Sequence, residues 1–193
     1  MLDNQARNIM QKERMHLGQV RKAFAAGLEQ AGQGKSVSVE FLGACVDYIG
    51  ASMDRLHAQD QRIHDILQPH VKPGNAADGE ILANLNARLA KSRVALAELI
   101  AVRDVYRARG AGGFAEFKAT VDHFMDVYHN VLLKGQHSTI DLQKKVFTDA
   151  DWIRVAGINE GALVVEAGAY AAVRKHAPAG ADPSGFQAGP PVV

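Results

Sequence analysis

Four stretches of the chain, each about 30 residues long, repeat apolar side chains at steps of three and four residues. This spacing places the apolar residues along one side of an α-helix. The predicted helices cover residues 4–31, 38–68, 79–109 and 114–146. No stretch has the strict alternation of apolar and polar residues that is typical of a β-strand. We therefore predict an all-α fold, an up-down-up-down four-helix bundle joined by short turns.

A fifth helix is predicted after this bundle, as an additional C-terminal helix. Thr148 or Asp149 is a plausible N-cap, and the segment that follows is apolar almost all round, so both of its sides should be covered. One side can pack on the bundle, and the other predicts a homo-oligomer or a partner protein that binds through residues 152–173. The domain prediction is a bundle over 1–147, a packing helix over 148–176 and a flexible Gly/Pro/Ala tail over 177–193.

Composition excludes several classes of protein. Of the 193 residues, 47% are hydrophobic, which is enough for one core. The net charge is +1 and the basic residues form no stripe, so we expect no nucleic-acid partner. Cys45 is the single cysteine, which excludes a disulfide scaffold. We find no signal peptide and no apolar run long enough for a membrane span, and so predict a cytoplasmic protein.

The second predicted helix carries polar side chains where a bundle interior is expected. His57, Asp60, Gln61 and His64 lie on one side of this helix, among apolar residues. Buried polar groups destabilise a fold unless they are hydrogen-bonded or bound to a ligand. The structural alternative is that His57 and Gln61 are hydrogen-bonded within the core. For Asp60 it is a pairing with a histidine or an arginine, Arg55 or Arg88.

Several segments together resemble the hemerythrin-like, or HHE cation-binding, family, and the resemblance covers roughly residues 10–155. The segments that carry it are 15–24, 34–42, 56–64, 127–131 and 146–152. The resemblance implies a four-helix bundle whose inner helices offer histidine and carboxylate ligands to a non-haem di-iron centre. It places His16 and His57 at the histidine positions of the first two helices.

The chain departs from this family at most of the implied ligand positions. Gln61 stands where a glutamate is expected, and three further positions hold residues without a ligating side chain: Leu89, Val131 and Gly135. Two ferrous ions carry four positive charges, whereas His16, His57 and Gln61 are neutral and Asp60 supplies one negative charge. Uncompensated buried charge is very costly, so the sequence argues against di-iron. A single metal ion held by His16, His57 and Asp60 or His64 stays open.

Three functional hypotheses follow. In the first, the bundle centre binds haem, a single metal ion or a small apolar molecule, with a redox, gas-binding or sensing role. Its predicted cofactor-binding residues are His16, His57, Gln61, His64 and His137. In the second, the protein is a non-catalytic interaction or structural subunit that uses its apolar C-terminal helix. In the third, His57 and Asp60 form a general base, although no nucleophile or phosphate-binding motif accompanies them.

Overall fold

The computed structural model describes residues 2–135 and 138–187. The all-α prediction is confirmed: these residues contain seven α-helices and no strand. The helices are α1 Leu2–Gly32, α2 Val39–Leu67, α3 Ala76–Arg109, α4 Phe114–Val127, α5 Ile140–Val146, α6 Asp149–Ala156 and α7 Glu160–His176. A π-helical turn, Tyr128–Leu133, continues α4, and short 3-10 turns cover Gln68–His70, Gly110–Gly113 and Pro183–Gly185.

Helix α2 is the central helix of the fold. It packs against α1 and α3 on two sides and against α7 on a third, while α5 and α6 contact its C-terminal part. The main hydrophobic core includes Phe24, Phe41, Tyr48, Phe117 and Phe124, all less than 2% exposed. A second, smaller core lies towards the other end of α2, where the largest side chains are Met10, Ile63, Ile66, Leu67, Leu82, Leu85, Leu89 and Leu142.

The predicted helix over 114–146 is interrupted, which corrects the sequence-based boundary. Its regular α-helical part ends at Val127, a π-helical turn follows, and α5 begins at Ile140. The Arg88 guanidinium from α3 donates to the Gly135 carbonyl and to Ser138 Oγ, the latter at 3.0 Å. A side chain that competes for backbone carbonyls of a helix commonly bends or ends it. Tertiary contact with Arg88 therefore accompanies the break.

The predicted fifth helix is also divided, into α6 and α7. Thr148 and Asp151 form a capping box at the start of α6, as the position of Thr148 suggested. Gly157 ends α6 in the left-handed conformation, with a φ of 50°. Asn159 then caps α7 by accepting a hydrogen bond from the Ala162 N–H at 3.2 Å. A glycine in this conformation ends a helix readily, because other residues adopt it at higher energy.

The segment after α7 packs against α1, although we predicted a flexible tail. Gln30 Nε2 donates to the Ala179 carbonyl at 3.1 Å, and Gln19 Nε2 donates to the Phe186 carbonyl at 3.2 Å. Ala181 is fully buried. These contacts position the chain up to residue 187, and the rest of the predicted tail, 188–193, lies outside the described residues.

No helix within 2–135 and 138–187 contains an apolar stretch long enough to cross a bilayer.

The first prediction concerns the close approach of α1 and α2 at Gly27. A Cβ atom at Gly27 would collide with the ring of Phe41, whereas a Cβ atom at Gly18 in the same helix would meet nothing within 4 Å. Gly27→Ala should lower the free energy of unfolding by about 1–3 kcal/mol through overpacking. Gly18→Ala should leave it unchanged or raise it by up to about 1 kcal/mol. Urea unfolding monitored by circular dichroism measures both, and equal effects would contradict this packing.

Candidate functional site

His57 lies in a buried position between α2 and α3. Its side chain is only 4% exposed, and its Nε2 atom lies 2.7 Å from Ser92 Oγ. Ser92 Oγ also donates to the Leu89 carbonyl at 3.2 Å, and it can accept a hydrogen bond from His57 when the imidazole carries its proton on Nε2. Burial, helped by the nearby charge of Arg93, lowers the pKa of His57 to about 4, although Asp54 opposes the shift. His57 is therefore neutral at pH 7.

An open groove of about 630 Å³ lies beside His57 on the α2–α3 surface. We call it the His57 groove, and it is lined by Asp54, His57, Ala58, Gln61, Arg62, Arg93, Leu96, Ala97 and Ile100. Its lining combines two arginines, one acid and an apolar floor. Such a lining can bind a small molecule that has both an apolar part and an anionic part.

His16 has different surroundings from His57. It is half-buried on α1, and its ring stacks on Tyr170 of α7 with the ring centroids 4.4 Å apart. Burial lowers the pKa of His16, and nearby Lys12 lowers it further. The Tyr170 hydroxyl donates to Gln19 Oε1 at 2.8 Å. His16 therefore belongs to the contact between α1 and α7.

Asp60 is held among cations. Burial raises the pKa of its carboxyl, while the charges of Arg14 on α1 and Arg88 on α3 lower it. Arg88 is one of the partners that the sequence suggested for Asp60, and the two charges attract each other. The Arg88 side chain occupies the space that a Cβ atom at Gly135 would fill. Gly135 therefore makes room for an arginine of the protein itself.

Gln61 and His64 are engaged near the end of α2. Gln61 Nε2 donates to Asp65 Oδ1 at 3.1 Å. Asn86 Nδ2 donates to His64 Nε2 at 2.9 Å, and His64 Nδ1 lies 3.2 Å from Asp65 Oδ1. The remaining predicted cofactor-binding residue, His137, lies outside the described residues.

The predicted metal ligands His16, His57 and Asp60 are not brought together. Each has its own partners, which are Tyr170, Ser92 and the two arginines, respectively. Within 2–135 and 138–187, no three His, Cys, Asp or Glu side chains are grouped so that they could hold one ion. The positive Arg88 guanidinium lies beside Gly135, one of the positions at which the resemblance implies an iron ligand. These residues do not fit a di-iron centre.

A buried polar network, missed by the sequence analysis, connects α1, α2 and α7. We call it the Arg55 cluster, and it consists of Glu13, Tyr48, Arg55, Gln59 and Glu166. Arg55 Nε donates to Glu13 Oε1 at 2.7 Å, and Gln59 Nε2 donates to Glu13 Oε2 at 3.0 Å. Arg55 Nε also lies 3.9 Å from Glu166 Oε2, and the Tyr48 hydroxyl donates to Glu166 Oε1 at 2.8 Å.

The groups of the Arg55 cluster shift the pKa of Glu13 in opposite directions. Burial raises the pKa of Glu13, and the nearby Glu166 carboxylate adds to this, whereas Arg55 and Gln59 lower it. One guanidinium thus faces two buried carboxylates, each on a residue no more than 6% exposed. One signal could have identified Glu166, since it is the single acid in the otherwise uncharged run 161–173. Nothing comparable distinguishes Glu13 in the sequence.

The other side of α7 carries exposed apolar residues. Val164 is 71% exposed and Val165 is 62% exposed, although Glu166 and Val173 of the same helix are buried. We call this surface the α7 outer face, and it consists of Glu160, Val164, Val165, Gly168, Ala171 and Lys175, all exposed. Ile153 and Ile158, just before α7, are also exposed. Exposed clusters of this kind are typical of protein interfaces.

Comparison with known proteins adds no identification: no protein family, no curated protein and no solved structure matches this chain.

The second prediction concerns the pH dependence of stability. The pKa of His57 is lowered from 6.5 to about 4 in the folded state, so the unfolded chain binds this proton first as the pH falls. The free energy of unfolding should therefore fall between pH 6.5 and pH 4, by up to roughly 3 kcal/mol for this group. His57→Gln should remove this part of the fall.

Urea unfolding of both proteins at several pH values provides the measurement. Glu13 and Asp60 also have shifted pKa values, but both are present in the two proteins, so the difference isolates His57. If the free energy of unfolding depends on pH in the same way in wild type and variant, His57 does not titrate as described.

Proposed function

We propose that this chain is a non-catalytic interaction subunit that binds a protein partner through the α7 outer face. The observation that carries the proposal is the exposure of Val164 and Val165, at 71% and 62%. The other side of the same helix packs against α2. Each valine would bury apolar surface in a complex, and such burial contributes about 25 cal/mol per Å². Two further apolar side chains are exposed before α7, Ile153 in α6 and Ile158 in the connection between α6 and α7.

The proposed scaffold is an up-down-up-down four-helix bundle of the hemerythrin-like kind, with α7 as an additional helix. Three contacts support antiparallel neighbours along the chain. Gly27 near the end of α1 meets Phe41 near the start of α2, and Asp47 near the start of α2 pairs with Arg103 near the end of α3. Tyr106 at the end of α3 stacks on Phe117 at the start of α4.

Within this proposal the hemerythrin-like scaffold has lost metal binding, and its interior holds opposite charges of the protein itself. Arg88 lies against Gly135 and is attracted to Asp60, while Arg55 joins Glu13 and Glu166. Buried ion pairs of this kind are often no more stabilising than apolar packing, but breaking one is costly. These interior charges are balanced by other side chains of the protein and need no bound ion. This is consistent with a scaffold that binds its partner through its outer surface.

The third prediction tests the interaction surface with a matched pair of variants. Val164→Asp places a charge on the α7 outer face, and Val94→Asp places the same charge on α3, where Val94 is 60% exposed. In affinity purification of the tagged full chain from its source cells, wild type and Val94→Asp should retain the same partner. Val164→Asp should lose it, because the interface would have to desolvate a carboxylate. Identical partner sets for all three proteins would refute the proposal.

A second candidate function is the binding of a small ligand, and the His57 groove favours it. The groove joins a neutral histidine and Gln61 to two arginines and to the apolar side chains of Leu96 and Ile100. Haem, a single metal ion and an apolar molecule were the ligands suggested by the sequence. The two arginines of the groove favour instead a small organic anion with an apolar part.

The fourth prediction distinguishes this candidate. Native mass spectrometry of the protein purified from its source should find an additional small mass on wild type and on Lys91→Glu. The same mass should be missing from Arg93→Glu, because Arg93 lines the groove and Lys91 does not. An absorption spectrum with a Soret band would identify haem instead. An unliganded mass for all three proteins, with a colourless spectrum, would reject ligand binding.

A further inference from the structure

Five residues of the α7 outer face form a narrow stripe along the length of the helix. Glu160, Val164, Gly168, Ala171 and Lys175 are spaced by three or four residues, which keeps them on one side of α7. All five are exposed, while Glu166 and Val173 lie buried on the opposite side. The stripe therefore runs from an acid at one end, through small apolar residues, to a base at the other.

This order makes the stripe complementary to itself when two copies of α7 lie antiparallel. With a two-fold axis between Ala167 and Gly168, Glu160 of one copy faces Lys175 of the other. Val164 likewise faces Ala171 of the second copy. A two-fold interface requires this reciprocity, because residue i must meet residue j while j meets i. The same stripe laid parallel would place like charges together at each end.

The charges at the ends of the stripe are free for such a contact. Neither Glu160 nor Lys175 forms an ion pair within the described parts of the chain, 2–135 and 138–187, whereas the neighbouring Arg174 lies 3.5 Å from Asp182. Two symmetric Glu160–Lys175 pairs would form at the two ends of an antiparallel contact. The antiparallel alignment also brings the positive N-terminal end of one helix dipole beside the negative C-terminal end of the other.

The centre of the stripe allows the two backbones to come close. A Cβ atom at Gly168 would meet nothing within 4 Å, so none of the residues that the structure describes covers that position. Helices normally pack with their axes 8–10 Å apart, and small side chains at the crossing allow the lower end of that range. Val164 and Ala171 of each copy can then pack on either side of the axis.

We propose that the partner of the α7 outer face is a second copy of this chain, bound through an antiparallel α7–α7 contact. This inference rests on the proposed function, because it uses the same exposed surface. A helix of 17 residues is about 25 Å long, so the contact is smaller than that of a permanent dimer. The dimer should therefore dissociate on dilution.

The fifth prediction uses charge exchange, measured by sedimentation velocity on the full chain at about 1–500 µM, a range that spans weak to moderate dimers. Glu160→Lys and Lys175→Glu should each weaken dimerisation at least tenfold, since each replaces two attractive pairs with two repulsive ones. The double variant, Glu160→Lys with Lys175→Glu, should restore much of the affinity. Only a contact that joins Glu160 to Lys175 of a second copy predicts this recovery.

Two valine variants complete the experiment. Val164→Asp should abolish the dimer, whereas Val94→Asp should leave the dimer as strong as in wild type. Thermal unfolding by circular dichroism identifies any variant that fails to fold. If Val164→Asp fails to fold, the Glu160 and Lys175 variants, which change exposed residues, still test the contact. A wild type that is monomeric throughout, or a double variant as weak as the single ones, overturns self-pairing.

The outcomes also separate this inference from the proposed function. A monomeric wild type that retains a different protein, and loses it with Val164→Asp, overturns self-pairing and leaves the interaction surface in place. If Val164→Asp changes neither self-association nor the retained proteins, both proposals fail.

Discussion

The position of α7 depends on one buried guanidinium. Arg55 on α2 binds Glu13 on α1 and lies 3.9 Å from a carboxylate oxygen of Glu166 on α7. Removing a charge from water is costly unless an opposite charge is near, so these ion pairs favour one relative position of the three helices. Tyr48 adds a hydrogen bond to Glu166, and Tyr170 stacks on His16. The side of α7 that carries Glu166 and Tyr170 therefore packs against the rest of the fold.

This packing decides what the rest of α7 can do. Because Glu166 and Val173 face α2, the residues on the opposite side of the helix must face outward, including Val164 and Gly168. The apolar character of both sides of α7 then has two separate physical consequences. The inner side stabilises the fold, and the outer side is available to another molecule. The segment 178–187 packs on α1 and leaves Val164 and Val165 largely exposed.

A second set of charges fills the interior further along the chain. Arg88 lies beside Gly135 and is attracted to Asp60, whose carboxyl is also close to Arg14. A cation of the protein thus occupies the neighbourhood in which the resemblance to hemerythrin-like proteins implies iron. His57 contacts Ser92 and lines the His57 groove, and His16 stacks on Tyr170. His57 and Asp60, which share one side of α2, therefore lie in separate environments.

The sequence by itself determined the helical class, the approximate extents of the first three helices and the burial of His57. These follow from periodicity and from local capping chemistry, as at Thr148, which depend on near neighbours in the chain. Only the tertiary structure decided that Arg88 lies against Gly135, that Glu13 and Glu166 share Arg55, and which side of α7 is exposed. Those contacts join residues 42 to 111 positions apart, so no local pattern encodes them. Helical periodicity predicts that a side chain points inward, whereas its partner depends on how the helices are rotated and paired.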